Sequence, residues 1–89
     1  MKDVFGKEIV SYDEAVYLRR AGFDGECSGY YHMDACYEGC EDERYECASS
    51  WYRNSYSYSR AAAPTVRAAK LWYTKNKVRP YKSEEQDGR

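Results

Sequence analysis

The sequence has no apolar run near the ~18 consecutive residues that a membrane-spanning helix needs. Its first ten residues, MKDVFGKEIV, lack the uncharged apolar stretch of a secretory signal, so a cytosol is the expected location. No glycine-rich phosphate loop, no G-x-S-x-G and no H-E-x-x-H is present. That removes the usual signatures of nucleotide binding, esterase chemistry and zinc proteolysis. A single histidine, His32, could serve a cysteine as base, but beside Tyr30 and Tyr31 it reads as a packing or surface residue. The expectation is a protein without catalytic activity. There is no internal repeat, and 89 residues hold one domain with one modest core, too little for a two-domain enzyme or a repeat array.

Apolar residues make up 43% of the chain and charged residues 33%, with a mean hydropathy of -0.97, which describes a small core under a heavily solvated surface. The net charge of -1 conceals a division. Residues 1–48 carry five Lys/Arg against twelve Asp/Glu, a balance of -7, and residues 49–89 carry nine against three, a balance of +6. From Arg53 to Lys82 there are eight basic residues and no acidic one. Such asymmetry points to a charged partner or to self-association through complementary halves, and a homodimer is compatible with it. The simplest alternative is that the two halves neutralise each other inside one fold, which spans only two or three Debye lengths of ~8–10 Å.

The element signals describe an α+β mini-domain. Ser11-Tyr12-Asp13-Glu14 is a capping box, with Val10 and Ala15 placed for a hydrophobic staple. It predicts a helix over Tyr12–Ala21 with acids in its first turn and Arg19-Arg20 in its last. Gly22 supplies the stop and Phe23 folds back on the last turn. Cys27–Met33 suits a strand, residues 34–42 an acidic loop or hairpin tip, and Glu43–Ser50 a second strand. Trp51–Ser59 reads either as a third strand, since Tyr52, Tyr56 and Tyr58 share parity, or as a loop. A second helix follows Ala63-Pro64-Thr65, with Pro64 at its first position or Thr65 as its cap, and carries Val66, Ala69 and Tyr73 at helical spacing. The expected domain is 1–79, with residues 80–89 a disordered polar tail. The two helices would cover one face of a two- or three-stranded antiparallel sheet, using Val16, Leu18 or Tyr17 on the first and Val66, Ala69 and Tyr73 on the second. The other face would stay open, rich in tyrosine and rimmed by acids.

Two blocks also carry a resemblance. Ser11-Tyr12-Asp13-Glu14-Ala15 through Leu18 to Gly22-Phe23-Asp24, followed by Cys27 and Tyr30-Tyr31, resembles the opening of a group of small phage and prophage proteins of unknown function. Ala63-Pro64-Thr65 and Trp72 resemble the later Ala-Pro-Thr and Trp-bearing helix of the same group. The likeness covers about half the chain, and the acidic insert from Cys36 to Cys47 departs from it. It implies a phage or mobile-element setting inside a bacterial host cytosol and assigns no catalytic residue. Small accessory proteins in that setting often bind and block host proteins, including immune nucleases, which is an argument by association.

The four cysteines stand at 27, 36, 40 and 47, and no pair has the C-x-x-C spacing of zinc ribbons or thioredoxin motifs. Cys36-x-x-x-Cys40 falls within a looser zinc spacing. Cys27, Cys36, Cys40 and Cys47 could converge on a structural zinc, with His32 as a fifth candidate ligand. Free thiols and disulfides are the alternatives, the latter disfavoured by a reducing cytosol.

Eight of the fifteen aromatic residues fall within 29 positions: Tyr30, Tyr31, Tyr37, Tyr45, Trp51, Tyr52, Tyr56 and Tyr58. They can fill a half-exposed sheet face, or they can anchor a protein partner at low entropic cost. The second reading places the partner surface at Tyr30, Tyr31, Tyr37, Glu38, Glu41, Asp42, Glu43, Tyr45, Trp51 and Tyr52. Its acids would meet a host surface that normally holds nucleic acid, as an anti-CRISPR inhibitor does. The alternative is direct nucleic-acid binding through Arg53, Arg60, Arg67, Lys70 and Lys77. Lys75, Arg79 and Lys82 would extend that basic segment, and Trp51, Tyr52, Trp72 and Tyr73 would stack on bases. The sequence pI of about 5.8 opposes it.

Overall fold

The computed structural model describes residues 2–3, 5–33 and 45–81. Two helices and a three-stranded antiparallel sheet form a small α+β domain. Helix α1 (Tyr12–Ala21) starts where the Ser11 side chain accepts from the Glu14 amide at 3.2 Å, and stops at Gly22, whose φ of 104° is left-handed. The Phe23 amide then donates to the Leu18 carbonyl at 2.9 Å, closing the C-terminal cap. Helix α2 (Val66–Asn76) is capped by Thr65, whose hydroxyl accepts from the Ala68 amide, so Pro64 lies outside the helix. Glu14 Oε2 accepts from the Tyr73 hydroxyl at 2.7 Å, tying α1 to α2.

Strand β1 (Cys27–His32) is central, with β2 (Tyr45–Tyr52) on one side and β3 (Arg60–Ala62) on the other. On β1 the register sets Tyr31 opposite Tyr45 and Ala61, and Tyr30 opposite Glu46 and Ala62. Tyr31 is fully buried, donates to the Val10 carbonyl at 2.8 Å and meets the Tyr12 ring of α1 edge-on. The core gathers around it: Ile9, Val10, Ala15, Leu18, Ala61, Ala62 and Tyr73 are all buried.

Three expectations need correction. Within the described residues β2 runs Tyr45–Tyr52, so Trp51 and Tyr52 belong to it, and the third strand is Arg60–Ala62 rather than 51–59. Beyond Tyr52 the loop reading of this segment holds over the strand reading, since a 3-10 turn forms at Asn54–Tyr56, where side chains satisfy the backbone. Asp24 Oδ1 accepts from the Ser55 amide, and Asn54 accepts from the Ala62 amide and donates to the Phe23 carbonyl. Second, the domain does not end at residue 79: the half-buried Tyr81 packs its ring 5.5 Å from that of Tyr17, whose hydroxyl donates to the Arg79 carbonyl. The rest of the expected tail, residues 82–89, lies outside the described residues.

Third, the sheet face away from Tyr31 is not open. Tyr30 is covered by the Tyr52 ring at 4.6 Å, by the Arg60 guanidinium at 4.7 Å and by the His32 ring at 5.4 Å. The segment between β2 and β3 folds back over it, with Tyr56 edge-on to Tyr52. Tyrosine therefore fills both faces of β1.

Phenol burial of this kind has a pH signature. Burial pushes the Tyr45 phenol up to about 12, with the neighbouring Cys47 also raising it. Tyr52 and Tyr73 shift the same way, first through burial, and for Tyr73 also through Glu14. Unfolded tyrosine titrates near 10, so between pH ~10 and ~12 the folded chain holds protons that the unfolded chain has released, and stability falls as pH rises. Thermal melts from pH 8 to 12, followed by circular dichroism, should show a midpoint that begins to fall near pH 9, because burial raises the Cys27 thiol as well, and falls more steeply beyond about pH 10. Tyr45→Phe should make that drop shallower. A parallel decline for the parent and Tyr45→Phe would remove Tyr45 as a cause.

Candidate functional site

The N-terminal residues build one wall of an exposed hollow. Asp3 Oδ1 accepts from the amides of Phe5 and Lys7, both at 2.9 Å, and Ser28 Oγ donates to Asp3 Oδ2 at 3.2 Å, which fixes the turn against β1. Burial would raise the Asp3 carboxyl, but those donors and the Lys7 charge outweigh it and hold it below its ordinary value. Gly6, at φ 76°, completes the turn and leaves Phe5 65% exposed.

The opposite wall comes from an irregularity in β2. Cys27 pairs with Tyr52 and Gly29 with Cys47, so Ala48–Trp51 bulge outward opposite Ser28. The bulge leaves Trp51 53% exposed. Phe5 and Trp51 flank a hollow of about 230 Å³ with Cys27 and Ser28 on its floor and Ala63 and Pro64 at the far side. A second lobe of about 240 Å³ lies between Phe5, Trp51 and Ala48–Ser50. Each lobe is smaller than the ~300–1,000 Å³ of a typical small-molecule site and suits one apolar side chain.

Cys27 has no reactive character at this floor. It is buried, and burial pushes its thiol up to about 12, against a partial lowering by Arg53. Cys47 is exposed on β2, and both are free thiols. Among the described residues no three His, Cys, Asp or Glu side chains are grouped to hold a metal ion. Cys36 and Cys40, the other half of the expected zinc set, lie outside the described residues. His32 sits at the opposite end of β1 from Cys27, about 16 Å along the strand, with its Nε2 2.6 Å from Glu46 Oε1.

The expected partner-binding residues divide into four groups. Tyr30, Tyr31 and Tyr52 are core residues, which corrects their assignment to an open face. Tyr45 is half-buried over Gly29, and its hydroxyl has no hydrogen-bond partner among the described residues. Trp51 is exposed. Tyr37, Glu38, Glu41, Asp42 and Glu43 lie outside the described residues. Phe5 was not expected; the Asp3 and Gly6 turn signals beside it are the pattern that could have shown it projecting from a tight turn.

The expected basic residues also separate. Arg53 pairs with Glu26 at 3.3 Å and donates to the Asp24 carbonyl, and Arg60 lies over Tyr30, so both serve the fold. Arg67, Lys70 and Lys77 are exposed on α2 and at its C-cap, with no carboxylate paired to them among the described residues. Three of the four expected stacking rings are turned inward, Trp51 being the exception. Tyr52 and Tyr73 are buried, and Trp72 packs edge-on against Phe23 at 5.5 Å.

The class these features define is a small α+β domain with an aromatic hollow on one side and a basic helix face on another. No family model, curated protein or solved structure in the comparisons matches the chain.

Proposed function

We propose that the protein acts by binding, without catalysis, to a protein of a bacterial host in a phage or mobile-element setting, where it blocks a defence complex that handles nucleic acid. The observation that carries this reading is the pairing of Phe5 and Trp51 across one hollow, both more than half exposed on a strongly polar domain. Each such ring gains roughly 2 kcal/mol when a partner removes it from water. A tryptophan beside a pocket for one side chain is the usual form of an interface hot spot. The acidic stretch of the sequence, with Glu38, Glu41, Asp42 and Glu43, would make association with a basic partner fast and salt-sensitive.

A targeted phage plated on a host with an active RNA-guided nuclease tests it. Expressing the protein should restore plaque formation, and Phe5→Ala with Trp51→Ala should remove the rescue by weakening binding about 4 kcal/mol, roughly a thousandfold. Neither side chain is in the core, so the double variant keeps its circular dichroism spectrum. No rescue by the parent, or full rescue by the double variant, refutes the proposal.

A further inference from the structure

Helix α2 breaks a local rule of charge placement. Its first turn has no acidic residue, and Arg67 stands there, where the helix dipole disfavours a cation. Arg67, Lys70, Leu71 and Thr74 follow each other at i, i+3, i+4 and i+7, and Lys77 continues the stripe at the C-cap. Arg67 and Lys70 repel each other on one face, and no described carboxylate relieves them. Leu71 stands among them at 66% exposure. Shallow hollows of about 660 and 620 Å³ run along the two sides of the stripe, meeting at Val66 and Lys70.

We propose that this face of α2 docks an acidic, amphipathic segment of a partner protein, with Leu71 as the apolar contact and Arg67, Lys70 and Lys77 as the charged rim. Charge complementarity selects the acidic occupant, and two features favour protein over nucleic acid. The helix offers no outward ring for a base to stack on, since Trp72 lies on Phe23 and Tyr73 bonds Glu14. A leucine at the centre of the stripe fits an apolar anchor of a helical or extended peptide and does nothing for a phosphate backbone. The surface adjoins the Phe5–Trp51 hollow through Lys7 and Thr65, but Arg67, Lys70 and Leu71 do not line that hollow, so the proposal stands without it.

The test uses the full chain and fluorescence anisotropy at low salt. The probes are a helical peptide of leucines at i, i+3, i+4 and i+7 with glutamate elsewhere, its lysine counterpart, and an oligothymidine. The acidic peptide should bind and the lysine peptide should not. Arg67→Glu with Lys70→Glu should abolish binding, and Leu71→Ser should weaken it about tenfold, the size of one lost anchor. All three side chains are exposed, so unchanged thermal melts will separate lost binding from lost fold. Tighter binding of the oligothymidine, or acidic-peptide binding indifferent to Leu71, overturns the proposal. So does low-salt self-association of the parent that the charge-reversed variant loses, which would make the occupant a second copy of this chain.

Discussion

Gly29→Ala should cost about 3 kcal/mol, the upper part of the range for overpacking a filled core. Gly29 lies in the central strand opposite Cys47 and under the Tyr45 phenol. A β-carbon there would collide with the Tyr45 ring and stand 2.7 Å from the Glu46 carbonyl oxygen. The ring could turn away, but the carbonyl belongs to the backbone of β2 and moves only if the ladder opens. A domain of this size has roughly 5–10 kcal/mol of stability in all, and each kcal/mol shifts its midpoint by about 4–8 °C. Gly29→Ala should therefore melt roughly 12–24 °C below the parent in thermal circular dichroism. A midpoint within about 3 °C of the parent would mean that β2 does not cross Gly29 as described.

Asn54→Ala should be nearly as damaging, by a different route. Asn54 is a buried polar residue whose amide joins three parts of the chain. Its Nδ2 donates to the Phe23 carbonyl at 2.8 Å, and its Oδ1 accepts from the Ala62 amide at 2.8 Å and from Arg19 Nη1 at 3.1 Å. Truncation leaves a carbonyl and an N–H desolvated with no partner, at about 1–3 kcal/mol each, so a loss of about 3 kcal/mol is expected in urea unfolding. Asn54→Asp separates the contributions. It retains an acceptor for Ala62 and Arg19 but sets an oxygen against the Phe23 carbonyl, so an intermediate loss is expected. Equal losses for both variants would show that the Phe23 contact carries nearly all of the effect; no loss for either would remove Asn54 as a tie.

These two residues mark the limit of what could be read in advance. The helices were legible because their ends are written locally: Ser11, Gly22 and Thr65 each satisfy or terminate the backbone within four residues of themselves. The antiparallel sheet was legible from the adjacent Tyr30 and Tyr31 before the acidic segment and the alternation around Tyr45 and Cys47 after it. The burial of Tyr30 and Tyr52 was not, because it depends on residues 53–60 folding back across the sheet, a contact that no periodicity encodes. That fold-back rests on Asn54, which as one polar residue in a Tyr/Ser-rich run gives no sign of reaching Phe23. The candidate site divides in the same way. Trp51 was expected for its residue type, but its exposure comes from the bulge in β2, and Phe5 needed the pairing of Asp3 with Ser28 to bring it alongside.

The bulge has a bearing on how the protein survives at high concentration. Among the described strands β2 lies at an edge, and an eight-residue edge would ordinarily be a template for sheet growth between molecules. Ala48–Trp51 leave the ladder, so the regular pairing in its middle shrinks to Tyr45–Cys47, too short to recruit a neighbouring strand. Shortening the bulge to a flush strand would thus withdraw the indole from the surface and, in the same step, give the molecule an edge along which fibres could nucleate.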